Sequence, residues 1–153
     1  MIFLKVRLFT NLGDCMGFLG TPADVIIDVN LIVQWVIFVI LLLGYVTRRQ
    51  LKTHGRLMVV ATIVNLLTTL LIMGPSLILN WESLPITVFG HSAVGIIAIL
   101  LGLLYSFRFL TATRANGPLN CGNRRMMRIA FILWIVPVFF GTFIYVSIYI
   151  IGA

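Results

Sequence analysis

Four long apolar runs separated by short polar connections set the pattern of this chain. They cover Ile27 to Thr47, Leu57 to Leu79, Ile86 to Phe109 and Ile129 to Ile151. Each is long enough to cross a hydrocarbon core of roughly 30 Å as a helix, which takes about 20 residues. None shows the strict apolar–polar alternation of a barrel strand, and lipid offers exposed backbone groups no partner, so helices are the form these runs predict. The expected fold is all-α: a polytopic membrane protein whose residues 26–153 form one four-helix transmembrane domain. Residues 1–25 form a separate segment at its outer interface.

Composition agrees with that pattern. The chain has 153 residues, of which 61% are hydrophobic and only 10% charged, and its mean hydropathy of +1.13 lies far above that of a soluble domain. Charge then adds direction. Arg48, Arg49, Lys52 and Arg56 lie between the first and second runs, and Arg108, Arg114, Arg124, Arg125 and Arg128 surround the connection from the third to the fourth. All four acids, Asp14, Asp24, Asp28 and Glu82, fall on the other side, where the connection NWESLP has no Lys or Arg. The positive-inside rule therefore predicts cytoplasmic loops at 48–56 and 108–128 and both chain ends outside, with Lys5 and Arg7 as exceptions. The net charge of +7 reads as an orientation signal, with the bilayer as partner. No soluble basic domain is present to bind nucleic acid.

The opening stretch MIFLKVRLFTNLGDCMGFLG resembles a signal peptide only in part. Asn11 and Asp14 break its apolar run and no A-x-A-like cleavage pattern follows, so it is expected to be retained, with Phe3, Leu4, Phe9, Phe18 and Leu19 at the lipid boundary. Cys15 and Cys121 are assigned to opposite sides, which excludes a disulfide within one chain, and no C-x-x-C pair offers a metal or haem-attachment site.

Helical spacing sorts the polar groups inside the runs. His54, Met58, Thr62, Asn65, Thr69, Met73 and Ser76 recur every three or four residues on one face of the second run. An unpaired Asn in hydrocarbon is costly, so Asn65 is expected to bond a neighbouring helix, with Asn30 and Gln34 of the first run as candidates. His91, Gly95, Ala98, Gly102 and Ser106 form a small-residue stripe on the third run, read as a packing seam or as a cleft for a flat cofactor or lipid chain. Pro75 and Pro137 lie inside their runs and are expected to kink them. Asp24 and Asp28 read as carboxylates near the outer surface that set the depth of the first helix.

The two histidines are the candidate ligands. His54 opens the second run on the inner side and His91 the third on the outer side, so their rings should lie some 20 Å or more apart along the membrane normal. One haem cannot use both. Near His54, Met58 is one turn away on the same helix and badly placed, whereas Met126 or Met127 approaches from the fourth run. Near His91, a five-coordinate haem, a copper ion and a site completed by ligands from a partner subunit are the metal-binding alternatives to packing.

The stretches GFLGTPADVIIDVNLIVQWVIFVILLLGY, KTHGRLM, GHSAVGIIAILLGL and RRMMRIAFILW together resemble the domain-of-unknown-function four-twenty family, also called YozB-like or CtaM-like. The resemblance runs from about Gly17 to the C-terminus. Its most distinctive marks are the His54–Met58 pair, the histidine opening the third run and the arginine-rich entry to the fourth. It implies a small, non-catalytic four-span protein tied to respiratory chains, some members of which are needed to mature haem-copper oxidases. Bacterial members also open the fourth run with a histidine, where this chain has Asn123, Arg124 and Arg125, so an inner site here would draw on Met126, Met127 or Asn123.

The expected function is thus an accessory or assembly protein of a respiratory membrane complex, with other membrane subunits as partners and haem or copper as possible cargo. A b-type haem electron carrier and a structural subunit of a larger membrane enzyme are the alternatives. Phosphate loops, a nucleophile with its base and an intramembrane ion-pair path are all missing from the sequence, which argues against hydrolase, phosphoryl-transfer and transporter readings.

Overall fold

A computed structural model of the chain describes residues 17, 19–79, 81–83, 86–115, 117 and 124–151. The expectations for the segment before Gly17, for Phe18, for Cys15 and Cys121 and for Asn123 lie outside them. All the described elements are helical: α1 (Val25–Val46), α2 (Leu51–Thr68), α3 (Gly74–Leu79), α4 (Ile86–Arg114) and α5 (Arg124–Val146). Four helical stretches are long and apolar enough to cross a membrane, Val25–Arg49, Leu51–Leu79, Ile86–Arg114 and Arg125–Ile151. The chain is an all-α polytopic bundle.

Local chemistry explains the boundaries. Asp24 sits at the N-cap of α1 in an extended conformation, and its carboxylate accepts from the Ile26 N–H at 3.3 Å. At the other end Thr47 folds its hydroxyl back on the Leu43 carbonyl at 2.8 Å, a 3-10 turn covers Thr47–Arg49, and α2 begins directly after Gln50. The helix α2 therefore starts six residues before the apolar run at Leu57. Lys52, His54 and Arg56 are polar but helical.

The prolines are accommodated in different ways. A π-helical segment, Thr69–Met73, joins α2 to α3 just ahead of Pro75, with the Gly74 N–H reaching back to the Thr69 carbonyl. A proline removes one helical donor, and a π-turn re-pairs the backbone around the loss. By contrast, α5 runs unbroken through Pro137.

Helix α1 packs against α2 and α5, and α4 packs against the same two, so the spans close a ring in the order α1, α2, α4, α5. At its centre Ile37, Leu41, Ala61, Ala98 and Trp134 form one buried cluster. Lipid is as apolar as these side chains, so association depends on close fit and buried polar contacts rather than on escape from water. Two glycines supply the fit. A methyl group at Gly55 would overlap the Phe109 ring, and one at Gly102 would lie 2.6 Å from Trp134 Cζ2 and 2.9 Å from Thr62 Oγ1. Gly102 is where α2, α4 and α5 meet.

Candidate functional site

Neutral hydrogen bonds cross the bundle at mid-depth. The Gln34 amide on α1 donates to Asn65 Oδ1 on α2 at 3.2 Å, and Trp134 Nε1 on α5 donates to the Ala98 carbonyl on α4 at 2.8 Å. Of the two candidate partners for Asn65, Gln34 is the one that bonds it, and the remaining polar groups of these faces bond locally or not at all. Thr62 bonds the Met58 carbonyl of its own helix, Thr69 points to Met73 Sδ at 4.0 Å, and Asn30 Oδ1 is buried without a partner among the described residues.

Above this level, at the end of the bundle that carries Arg48, Arg49, Arg108 and Arg128, a cavity of about 650 Å³ lies between all four spans. That size is in the ordinary range for small-molecule sites, about 300–1,000 Å³. Its layers follow from the antiparallel register of α2 and α4, which places Gly55 against Phe109 and Thr62 against Gly102. Arg48, Arg49, Arg108 and Arg128 line the mouth, then come His54 and Phe109, then Met58 level with Ser106, and Trp134 with Gly102 closes the floor. No carboxylate lines it among the described residues. Arg48 is held over the Tyr45 ring at 4.4 Å, and Tyr45 stacks on Phe131 of α5 at 4.8 Å.

His54 is buried in the wall of this cavity, and its Nδ1 lies 2.8 Å from the Gly44 carbonyl. The last carbonyls of a helix have no partner within it, and Gly44 is in the last turn of α1. A carbonyl only accepts, so Nδ1 carries the proton and the lone pair of the neutral ring resides on Nε2. His54 thus caps α1 and keeps one nitrogen for another partner. This is the arrangement seen in metal-ligating histidines, whose second nitrogen donates to a carbonyl or carboxylate. Met58 lines the cavity and rests on Gly44, where a methyl would fall 2.2 Å from Met58 Cε. On α5 the structure separates the two candidate methionines: Met127 lines the cavity, and Met126 lies on the exposed face.

His91 is elsewhere. Its ring packs on α5, stacking on Phe140 at 6.3 Å and lying close enough to Gly141 that a methyl there would meet Cε1 at 3.0 Å. Its Nδ1 is buried without a partner, and no three His, Cys, Asp or Glu side chains converge among the described residues. A metal at His91 would have few protein ligands. The small-residue stripe is likewise divided: Ala98, Gly102 and Ser106 are buried, whereas nothing lies within 4 Å of a methyl at Gly95.

At the acidic end the structure holds a cluster that spacing does not announce. Asp28 is wholly buried and accepts from Tyr145 Oη at 2.5 Å, the Leu19 N–H at 2.9 Å and Thr21 Oγ1 at 3.4 Å, while the Thr21 and Tyr145 hydroxyls lie 2.8 Å apart. Asp28 is therefore buried within the bundle and does not face water. It ties the segment before α1 to α1 and to the far end of α5, and Gly17 fits beside it because a methyl there would lie 2.4 Å from Asp28 Oδ2.

Fold and site together define a four-span α-helical membrane protein with a ligand-sized cavity at its basic end. Comparison with known proteins finds no matching family model, curated protein or solved structure.

Proposed function

We propose that this protein is a non-catalytic accessory or assembly factor of a haem-copper oxidase type respiratory complex, belongs to the four-twenty family it resembles, and handles haem in the cavity at its basic end. One observation carries the reading: His54 commits Nδ1 to the Gly44 carbonyl and so retains Nε2 as a ligand nitrogen in a cavity of about 650 Å³. The donor set suits haem better than copper. A flat macrocycle needs apolar and aromatic walls with one or two axial ligands, and Phe109, Phe131 and Trp134 supply such walls beside His54 and Met127. When bound, the haem iron would supply redox and ligand-binding chemistry. This chain's residues would hold the group, orient its ligand ring through Gly44 and keep water from its apolar faces.

In this reading the basic end is cytoplasmic and both chain ends are outside, by the asymmetry of lysine and arginine. The exposed apolar helix faces meet lipid and the membrane subunits of the partner complex. The presence of Met127 in the same cavity also favours, as a second reading, a b-type haem carrier with a His–Met ligand pair.

The test is titration of the purified protein in lipid nanodiscs with haem, followed by oxidised and reduced absorption spectra. A saturable Soret band is expected for wild type and should be lost in His54→Gln, whose amide can still donate to the Gly44 carbonyl. In cells, loss of the protein should lower oxidase activity, with wild type but not His54→Gln restoring it. Absence of any saturable haem spectrum overturns the haem reading, and a six-coordinate low-spin spectrum with reversible reduction supports the carrier.

A further inference from the structure

One buried hydroxyl in the cavity wall behaves unlike its neighbours. Thr62, Thr68, Ser92, Thr111, Thr113 and Thr142 each return a hydrogen bond to the carbonyl four residues back in their own helix. This is the ordinary way for a helical Ser or Thr in an apolar setting to satisfy itself. Ser106 is only 8% exposed, lines the cavity, and has no partner for its Oγ. A buried hydroxyl left unpaired costs about 1–3 kcal/mol, so its retention in the cavity wall points to a partner that arrives with a ligand.

The mouth gives the second half of the ligand's description. Four arginines line it, Arg48 and Arg49 from the 3-10 turn after α1, Arg108 from α4 and Arg128 from α5, with no carboxylate among the described lining residues to answer them. Guanidinium matches carboxylate in planar, two-pronged fashion. Because the arginines line only the mouth and the floor is Trp134 against Gly102, a ligand with acid groups at one edge can enter in one orientation only. Polarity falls stepwise inward: cations, then the His54 nitrogen, then the Ser106 hydroxyl, then aromatic floor.

Resting on the haem reading, we propose that the cavity selects its ligand by the paired carboxylates of a tetrapyrrole, held by Arg48, Arg49, Arg108 and Arg128, with Ser106 hydrogen-bonding a pyrrole nitrogen, the only kind of polar atom such a ring carries away from its carboxylates. The iron is not what the mouth recognises. Removing the carboxylates therefore weakens binding whether or not a metal is present, whereas removing His54 weakens the metallated ligand more than the metal-free one.

The experiment uses metal-free protoporphyrin, a dicarboxylate, and its dimethyl ester, added to the full chain in nanodiscs of zwitterionic lipid. The chain has three tryptophans, Trp35, Trp81 and Trp134. In a Trp35→Phe/Trp81→Phe background the remaining emission comes from the cavity floor, so its quenching reports occupancy directly. Saturable quenching by the dicarboxylate is expected, with the ester at least about tenfold weaker, the equivalent of one good charge-assisted contact. Arg48→Gln/Arg128→Gln should narrow that gap by lowering only the dicarboxylate affinity, and Ser106→Ala should weaken both porphyrins by a smaller factor. His54→Gln should weaken haem by a larger factor than metal-free protoporphyrin.

Equal affinity for acid and ester, or no effect of the arginine pair, overturns the proposal. So does quenching that vanishes when anionic lipid is included in the nanodisc, because the mouth is then a lipid-headgroup site. If haem gives a His54-dependent spectrum but acid and ester bind alike, the haem reading stands and only this selection fails. If no porphyrin binds with or without iron, the haem reading fails as well.

Discussion

The acidic and basic ends of this bundle solve the same problem, buried polarity in an apolar protein, with opposite results. At the acidic end Asp28 takes three donors, and the hydroxyls of Thr21 and Tyr145 also meet each other, so the cluster is closed on itself. At the basic end His54 uses one nitrogen on Gly44, Ser106 uses nothing, and four arginines line the opening of a cavity. Satisfied polarity makes an anchor, and unsatisfied polarity beside a void makes a site. The difference teaches that the intramembrane carboxylate, ordinarily the first suspect for function, is here the structural element.

Breaking the acidic end should therefore cost the most stability. Asp28→Ala strips Tyr145, Leu19 and Thr21 of a shared acceptor in a dry setting; the two hydroxyls keep each other, so two donors are orphaned, each at a cost of about 1–3 kcal/mol. A loss of about 3 kcal/mol or more in reversible unfolding from mild detergent is expected, with Asp28→Asn falling between because one carbonyl oxygen remains. Gly17→Ala acts on the same cluster, since its new methyl overlaps both Asp28 Oδ2 and the Ala23 carbonyl. Combined with Asp28→Ala it should cost less than the sum of the two, the non-additivity expected of contacting sites. Full additivity would separate Gly17 from the anchor and weaken the contrast between the ends.

How much of this was legible before the fold is seen depends on the range of the signal. The four spans are written in runs longer than a bilayer requires, and the pairing of Asn65 with the first helix follows from counting depth along two antiparallel helices. The start of α2 at Leu51 was hidden because hydropathy marks where lipid begins, and the helix starts earlier. The anchoring role of Asp28 was hidden because its partner Tyr145 is 117 residues away and nothing local marks the pair. His54 was visible as a rare ligand type at a helix start. The arginines were visible only as an orientation signal, since their convergence on one cavity depends on ring closure by α1 and α5. Ser106 was visible only as a small residue in a stripe, and its missing hydrogen bond is a fact of geometry.

The middle of the bundle should respond by smaller amounts. Gly102→Ala pushes a methyl to 2.6 Å from Trp134 Cζ2, and the indole cannot easily retreat because Nε1 is tied to the Ala98 carbonyl. Overpacking of this kind costs about 1–3 kcal/mol. It should also reduce porphyrin binding, since Trp134 and Gly102 form the cavity floor. Below that in size comes the Gln34–Asn65 pair. Coupling measured by a Gln34→Leu and Asn65→Leu double-mutant cycle should be about 0.6 kcal/mol and under about 1.7 kcal/mol, the range found for interhelical hydrogen bonds in bilayers.

The finest contrast is between two glycines at which the same substitution meets different surroundings. At Gly44 an added methyl would sit 2.2 Å from Met58 Cε, the free end of a flexible side chain. Met58 can swing aside, so Gly44→Ala should cost little stability, yet the displaced thioether has the cavity as its neighbour and should lower ligand affinity. At Gly95 the methyl meets nothing within 4 Å, and exchanging Gly for Ala in a helix gains up to about 1 kcal/mol of backbone preference. Gly95→Ala should therefore leave stability equal or higher and leave porphyrin affinity unchanged. If Gly95→Ala instead impaired oxidase activity in cells while the isolated protein stayed stable and bound its ligand, that open face of α4 would be a contact for another membrane subunit, and function would extend to the half of the bundle that the cavity does not reach.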